Sequence, residues 1–431
     1  MLVQNHRRRG VRPLVALLAA LAVAVALTGV AVARQSAGLG PPIESPLFTV
    51  PAGHSRAPSI QAPEAIAVDQ TTGTLLYEKS SAARRPIAST TKLMTAYIAL
   101  HSTRPEQVFT AVRYPAAAGE STLGLKAGER MTAGDLLKAL LLESANDAAA
   151  TLAQGIAGSQ KAFVKRMNAE ANRLGLHDTR YANPIGLDDP NGYSSARDLA
   201  TLARTLMGDP RFASIVDRHQ ARVRIGAGER KVVNRNDLVG KYGFVDGVKT
   251  GHTSGAGWVL VGAGDRDGAR VVSVLLGEPS QSARDSETLD LLRYGFGRFS
   301  PVTVHSARTV KLVAIKDFAA RALLRPGQDL RAQVPRGARV TLRVYPPTIL
   351  SGPLPVGRKV GSVALVADGR QVADTPLVTA EPVPHSTLGR RFLIKIGNGD
   401  AALGCGVLAV AVLLALRLSR SQMLAGGRRP T

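Results

Sequence analysis

Four stretches of the chain carry apolar residues at the three- and four-residue spacing of an amphipathic helix, and they lie between two groups of strand-like runs. The first group is 65–79 (AIAVDQTTGTLLYEK), where two short runs flank Thr72-Gly73 and predict a hairpin. A helix is predicted from near Ser89 through ASTTKLMTAYIAL. A second follows Thr132, whose spacing to Asp135 matches a capping pair, and it carries the apolar run 136–142 before breaking at Ser144 to Asn146. Helical spacing recurs at 160–174 (Phe163, Met167, Leu174) and at 195–207 (Leu199, Leu202, Leu206), where Gly208 ends it. Strand-like segments return at 221–233, 244–250, 257–264 and 270–277, and one helix closes the set at 282–296. Strands at both ends with helices between them predict an α+β domain over 63–299, its antiparallel sheet completed by the two ends of the domain.

The texture then changes. Short β-branched runs at 309–315, 339–344 and 360–367, separated by Pro and Gly and including the hairpin signal Asp368-Gly369, predict a small all-β domain over 300–380. It carries no cluster of titratable residues and is expected to be a spacer or packing module. On the other side, 34–62 is rich in Pro, Gly and Ser and reads as an extended linker, as does 381–400.

Two apolar runs place the chain. Arg7, Arg8, Arg9 and Arg12 precede the run 14–33, and Ala31-Val32-Ala33 supplies small residues for cleavage, so 1–33 is expected to be an export signal. The run AALGCGVLAVAVLLAL at 401–416, extended by Leu418 and closed by Arg417, Arg420, Arg428 and Arg429, is expected to be a transmembrane anchor over 401–418. That leaves 419–431 as a cytoplasmic tail and the body of the chain between the two runs outside the cell membrane.

Composition narrows the chemistry. The formal charge is +23, about half of it in the two ends, and aromatics make up 4% of the chain; without a lysine-rich run or stacking platforms, nucleic-acid binding is not expected. One cysteine, Cys405, excludes an intrachain disulfide, and the eight histidines show no metal-ligand spacing, so neither metal nor other cofactor is expected. Only 13 of the 55 basic residues are lysine. Arginine cannot accept a proton at working pH whereas a crowded, buried lysine can, so lysines in polar settings stand out.

One lysine has serine three residues before it, in Ser89-Thr90-Thr91-Lys92 at the predicted helix start, where that step places both side chains on one face. Ser144-Ala145-Asn146 is the chain's one S-x-N, at a helix break, and Lys249-Thr250-Gly251 lies on a late strand. Each alone has a plain structural explanation. Together and in order they match the S-x-x-K, S-D-N, K-T-G set of serine enzymes that open amides by acylation, with Ala145 in place of the acid.

With these stretches, and with GLKAGERMTAGDLLKALLLESANDAA, LGLHDTRYANPIGL, VDGVKTGHTSGAGW and LLRYGFGRF, the sequence resembles the D-alanyl-D-alanine carboxypeptidases among the low-molecular-mass penicillin-binding proteins, over about 62–380. The resemblance implies the penicillin-recognising serine peptidase fold, with helices on both faces of the sheet, then a β-rich domain and a membrane anchor. That anchor is often an amphipathic helix, whereas 401–418 reads as transmembrane. It implies that Ser89 attacks the penultimate D-alanine of a peptidoglycan stem peptide, that Lys92 takes the serine proton, and that Ser144 relays a proton to the leaving amine. Asn146 would hold the substrate amide. Lys249, Thr250 and Gly251, with Arg284, would receive the terminal carboxylate, and the backbone N–H groups of Ser89 and His252 would form the oxyanion hole. β-Lactam antibiotics would act as inhibitors. A β-lactamase would share the motifs but needs a glutamate-activated water, and no convincing glutamate loop lies between Asn146 and Lys249. A catalytically inactive wall-binding scaffold is the reading from another class; every motif residue is present against it. A Ser-His-Asp hydrolase lacks its G-x-S-x-G elbow.

Overall fold

The computed structural model describes residues 39–53 and 56–387. In chain order the strands and helices of its first part are β1 (Ile43–Thr49), β2 (Glu64–Asp69), β3 (Leu75–Lys79), α1 (Lys92–Ser102), β4 (Val108–Thr110), β5 (Arg130–Thr132), α2 (Ala133–Lys138) and α3 (Asn146–Ala157). There follow α4 (Gln160–Arg173), α5 (Ala196–Met207), α6 (Pro210–Val216), β6 (Gln220–Ile225), β7 (Gly228–Val233), β8 (Val245–Thr253), β9 (Gly257–Arg266), β10 (Ala269–Glu278) and α7 (Gln281–Phe296).

β3, β2, β10, β9 and β8 form a five-stranded sheet in that order, antiparallel throughout, so the two ends of the domain do meet in one sheet. The period-2 alternation of a strand sends its side chains to opposite faces. Val272, Val274 and Leu276 of β10 therefore join the main helical core, while Val271 and Leu275 join a second core with Leu289, Leu291, Leu292 and Phe296 of α7. Both faces are covered, which is why β9 and β10 read as nearly unbroken apolar runs. Lys92 to Leu100 of α1 are all buried, so this helix is the axle of the domain. Thr132 caps α2 by accepting from the Asp135 N–H, an arrangement worth about 1 kcal/mol.

The last strands, β11 (Phe299–Val304), β12 (Lys311–Ala314), β13 (Arg321–Pro326), β14 (Leu330–Pro335), β15 (Arg339–Tyr345), β16 (Lys359–Ala367) and β17 (Arg370–Thr379), build the small all-β domain. Its six-stranded sheet runs β1-β15-β16-β17-β13-β12, with β11 and β14 as a separate pair. The stretch expected to be a linker thus contributes β1, which pairs with β15 across most of the chain. Proline misled there: Pro46 removes a ladder donor, but β1 is an edge strand with a register shift between Pro46 and Phe48, where a proline is tolerated. The Asp368-Gly369 turn joins β16 to β17 as its sequence predicts.

The apolar runs 14–33 and 401–416 lie outside the described residues. Among the described residues, no helix is long and apolar enough to cross a membrane.

One buried acid gives this fold a pH dependence. Glu278, at the end of β10, is 1% exposed, and burial together with the neighbouring Glu287 carboxylate pushes it from 4.5 up to about 8. The native state then keeps a proton that the unfolded chain releases, so this contribution to stability is full below about pH 4.5 and is lost as pH rises toward 8. Glu278→Gln is expected to flatten that part of the melting temperature's pH profile. Parallel profiles for variant and parent between pH 5 and 8.5 would contradict it.

Candidate active site

Ser89 lies in a single 3-10 turn, Ala88–Thr91, that feeds directly into α1. In a 3-10 turn, side chains three apart nearly eclipse, which brings Lys92 Nζ to 2.8 Å from Ser89 Oγ. Ala88 is held at φ 47°, a strained value for a residue with a Cβ. Gly186 makes the turn possible, because a Cβ at that residue would sit 2.0 Å from the Ala88 carbonyl oxygen. The helix expected to start near Ser89 starts as α-helix only at Lys92, leaving Ser89 half-buried in the turn before it.

Lys92 is 0% exposed and donates to the Ile185 carbonyl at 2.6 Å. Burial, then the charge of Lys249, hold its pKa well below the ordinary lysine value; Glu120 and Asp147 oppose the shift without cancelling it. Lys249 is 1% exposed and donates to the Thr250 carbonyl at 3.0 Å. Burial, Arg235 and Arg284 lower its pKa to about 7.

Lys249, Thr250, Gly251 and His252 lie in sequence on β8, the edge of the five-stranded sheet. The strand runs so close to the serine turn that a Cβ at Gly251 would stand 2.9 Å from Ser89 N and 3.0 Å from the Ala88 Cβ. Glycine here lets two backbones approach. The His252 ring stacks on Trp258, with centroids 4.2 Å apart, and takes no part in the serine–lysine contact.

Ser144 ends a turn of π-helix, Ala139–Glu143, in left-handed conformation (φ 61°), and its Oγ is buried without a hydrogen-bond partner among the described residues. Ala145 is 0% exposed within the main core, where a carboxylate would be stranded, which accounts for the missing acid of the motif. The acid one residue later does other work: Asp147 accepts from the Leu123 and Leu125 N–H groups at 2.9 and 2.8 Å. Asn146 opens α3 and donates through Nδ2 to Glu120 at 2.8 Å.

Arg284 is a partial departure. It is close enough to Lys249 to act on it by charge, but the residue is 2% exposed, and its guanidinium donates to Asp285 Oδ1 at 2.7 and 2.8 Å and lies over the Trp258 ring. Its cation is committed, not open to the cleft.

Three contributors carry no motif. The Ile185 carbonyl is backbone and invisible to residue type. Arg235 reaches Lys249 only through its charge. Glu120 sits in a loop with neither helical nor strand spacing, so only the fold brings it to Asn146. A cavity of about 750 Å³ lined by Arg204, Asp217, Asp246 and Arg270 holds none of these residues. The reactive groups collect instead at the open edge of β8.

The chain as a whole is similar to known proteins. Residues 52–280 match the peptidase S11 family, described as D-alanyl-D-alanine carboxypeptidase. D-alanyl-D-alanine carboxypeptidase DacD of Escherichia coli (strain K12) is 34% identical over 357 residues, 78% of this chain and 90% of its own. DacB2 of Mycobacterium tuberculosis is 36% identical over 228 residues, covering 52% of this chain and 78% of its own. Among solved structures, penicillin binding protein 5 from Haemophilus influenzae superposes with a TM-score of 0.55 at 28% identity, over 77% of this chain and all of that one. The Streptomyces K15 DD-transpeptidase does so at 0.53 and 31% identity, over 56% of this chain and all of that one.

Proposed function

Because this chain belongs to the D-alanyl-D-alanine carboxypeptidase family, whose members are serine hydrolases working through an acyl-enzyme, we propose that Ser89 is the nucleophile and Lys92 its base. The observation that carries the assignment is the 2.8 Å contact between Ser89 Oγ and a Lys92 amine with no solvent exposure. A neutral amine has two N–H bonds and one lone pair. With the Ile185 carbonyl taking one N–H, the lone pair is free to receive the serine proton.

The reaction then runs in two halves. Ser89 Oγ attacks the carbonyl carbon of the penultimate D-alanine while Lys92 takes its proton. The oxyanion is received by the backbone N–H groups of Ser89 and His252; donors of this kind are worth roughly 3 kcal/mol of barrier. The proton on Lys92 is relayed through Ser144 to the departing amine and D-alanine leaves; water then adds to the ester on Ser89, and its proton returns to Ser89 Oγ as the acid is released. An extended peptide can lie along the unpaired edge of β8, its amide held by Asn146 and its terminal carboxylate met by Lys249 and Thr250 where Gly251 keeps the backbone clear. Release of one D-alanine from a peptide ending in D-Ala-D-Ala tests the reading. No release by folded protein would overturn it.

Arg284 belongs to the carboxylate end through its charge beside Lys249. Arg284→Ala is expected to raise KM for such a peptide a few-fold with a smaller change in kcat, because it removes a buried charge beside Lys249 rather than a direct contact with the carboxylate. Kinetics equal to the parent would remove Arg284 from the site.

The same reading places the enzyme outside the cytoplasmic membrane, where peptidoglycan and β-lactams meet it, held by the apolar run at 401–418. A chain truncated after His385 is expected to be soluble and active, and the full-length protein to stay in membranes through a carbonate wash. Extraction by that wash would replace a spanning helix with an interfacial one.

A further inference from the structure

Glu120 is a charged residue beside the proposed machinery that none of the three motifs contains. It lies in the loop between β4 and β5, half-buried, and its carboxylate gathers three donors. Oε2 accepts from the Tyr114 hydroxyl and from Asn146 Nδ2 at 2.8 Å, and Oε1 accepts from the Ala117 N–H at 3.0 Å. Three donors on one side chain demand a group with no proton of its own. An ionised carboxylate meets that demand, whereas a glutamine must turn its NH₂ toward at least one of them.

The consequence falls on Asn146. Because Glu120 can only accept, the amide must face it with its nitrogen, and Oδ1 is therefore turned away. The loop itself is fastened to α3 by the Asn146 N–H on the Ser121 carbonyl at 2.8 Å and by Asp147 on Leu123 and Leu125, so the carboxylate is presented from a fixed support.

We infer that Glu120 is a positioning residue of the acylation site, its ionised carboxylate locking the Asn146 amide in the one orientation that offers Oδ1 to a donor of the bound peptide. The inference rests on the reading of Asn146 as the residue that holds the substrate amide. Burial alone would raise the Glu120 pKa, but the hydrogen bonds from Tyr114, Asn146 and Ala117 and the charge of Lys92 outweigh it, so the carboxylate stays ionised. Burial and the Glu120 hydrogen bond and charge raise the pKa of Tyr114, which stays a donor.

Glu120 has a second effect that a purely structural loop residue would lack. The charged groups acting on Lys92 are Lys249 from β8, Glu120 from the loop and Asp147 from α3. Removing the Glu120 charge takes away one of the two anions that support protonation of Lys92.

The test compares Glu120→Gln, Glu120→Asp and the parent for D-alanine release from a D-Ala-D-Ala peptide and for the pH profile of acylation by a penicillin. Glu120→Gln is expected to lower kcat/KM for the peptide roughly tenfold, the scale of one hydrogen bond to a charged group. It should also move the acid limb of acylation to lower pH. Glu120→Asp keeps the charge and is expected to leave that limb in place. A Gln variant with the parent's kcat/KM and acid limb overturns the inference, and so does an equal loss in both variants with no movement of the limb, which would mark Glu120 as loop scaffolding. D-alanine release by the parent, measured alongside, reports separately on the assignment the inference rests on.

Discussion

Ser89→Ala is expected to abolish penicillin labelling and to lower D-alanine release by a factor of roughly 10⁴ or more, the scale on which serine enzymes lose activity when the nucleophile is removed. The reason is structural. Ser89 is the serine with a lysine amine at 2.8 Å, and Ser144, the other serine of the motifs, has no hydrogen-bond partner for its buried Oγ among the described residues. The change removes one half-buried hydroxyl from a turn held by Gly186 and Gly251, so the fold should survive it. Retained labelling in this variant would move the nucleophile elsewhere.

Lys92→Arg is expected to fail almost as completely, with acylation slowed by about 10³ or more given what a positioned general base contributes. Its side chain keeps a positive charge but cannot give up a proton, and it would bury an obligate cation beside Lys249 at a position with no solvent exposure. That burial also predicts a lower melting temperature. Lys92→Met separates the two effects: it fills the same slot without a charge, should melt closer to the parent, and should be just as slow. Near-normal acylation in either variant would mean that Lys92 is not the base.

The site was legible in the sequence where local spacing does the work. Ser89 and Lys92 meet because they are three residues apart in one turn, and Thr132 caps its helix because Asp135 follows at the right distance. The K-T-G run could be read as a strand, but its approach to Ser89 depends on Gly251 packing against the serine turn, a long-range contact that no spacing reports. Glu120 and the Ile185 carbonyl were hidden for the same reason: one sits in an aperiodic loop, the other is backbone. Ala145 looked like a defect in its motif and is instead a core position where an acid would be costly. In the fold, β9 and β10 could be read as strands from their apolar runs, while β1 was concealed by a proline that an edge strand accommodates.

The most direct measurement is peptide mapping by mass spectrometry after incubation of the protein with a penicillin, followed over time. The expected result is a single, persistent adduct carried by the peptide that contains Ser89. An adduct on any other residue, no adduct on folded protein, or an adduct that turns over rapidly to free penicilloate would contradict a carboxypeptidase whose chemistry begins at Ser89 and Lys92.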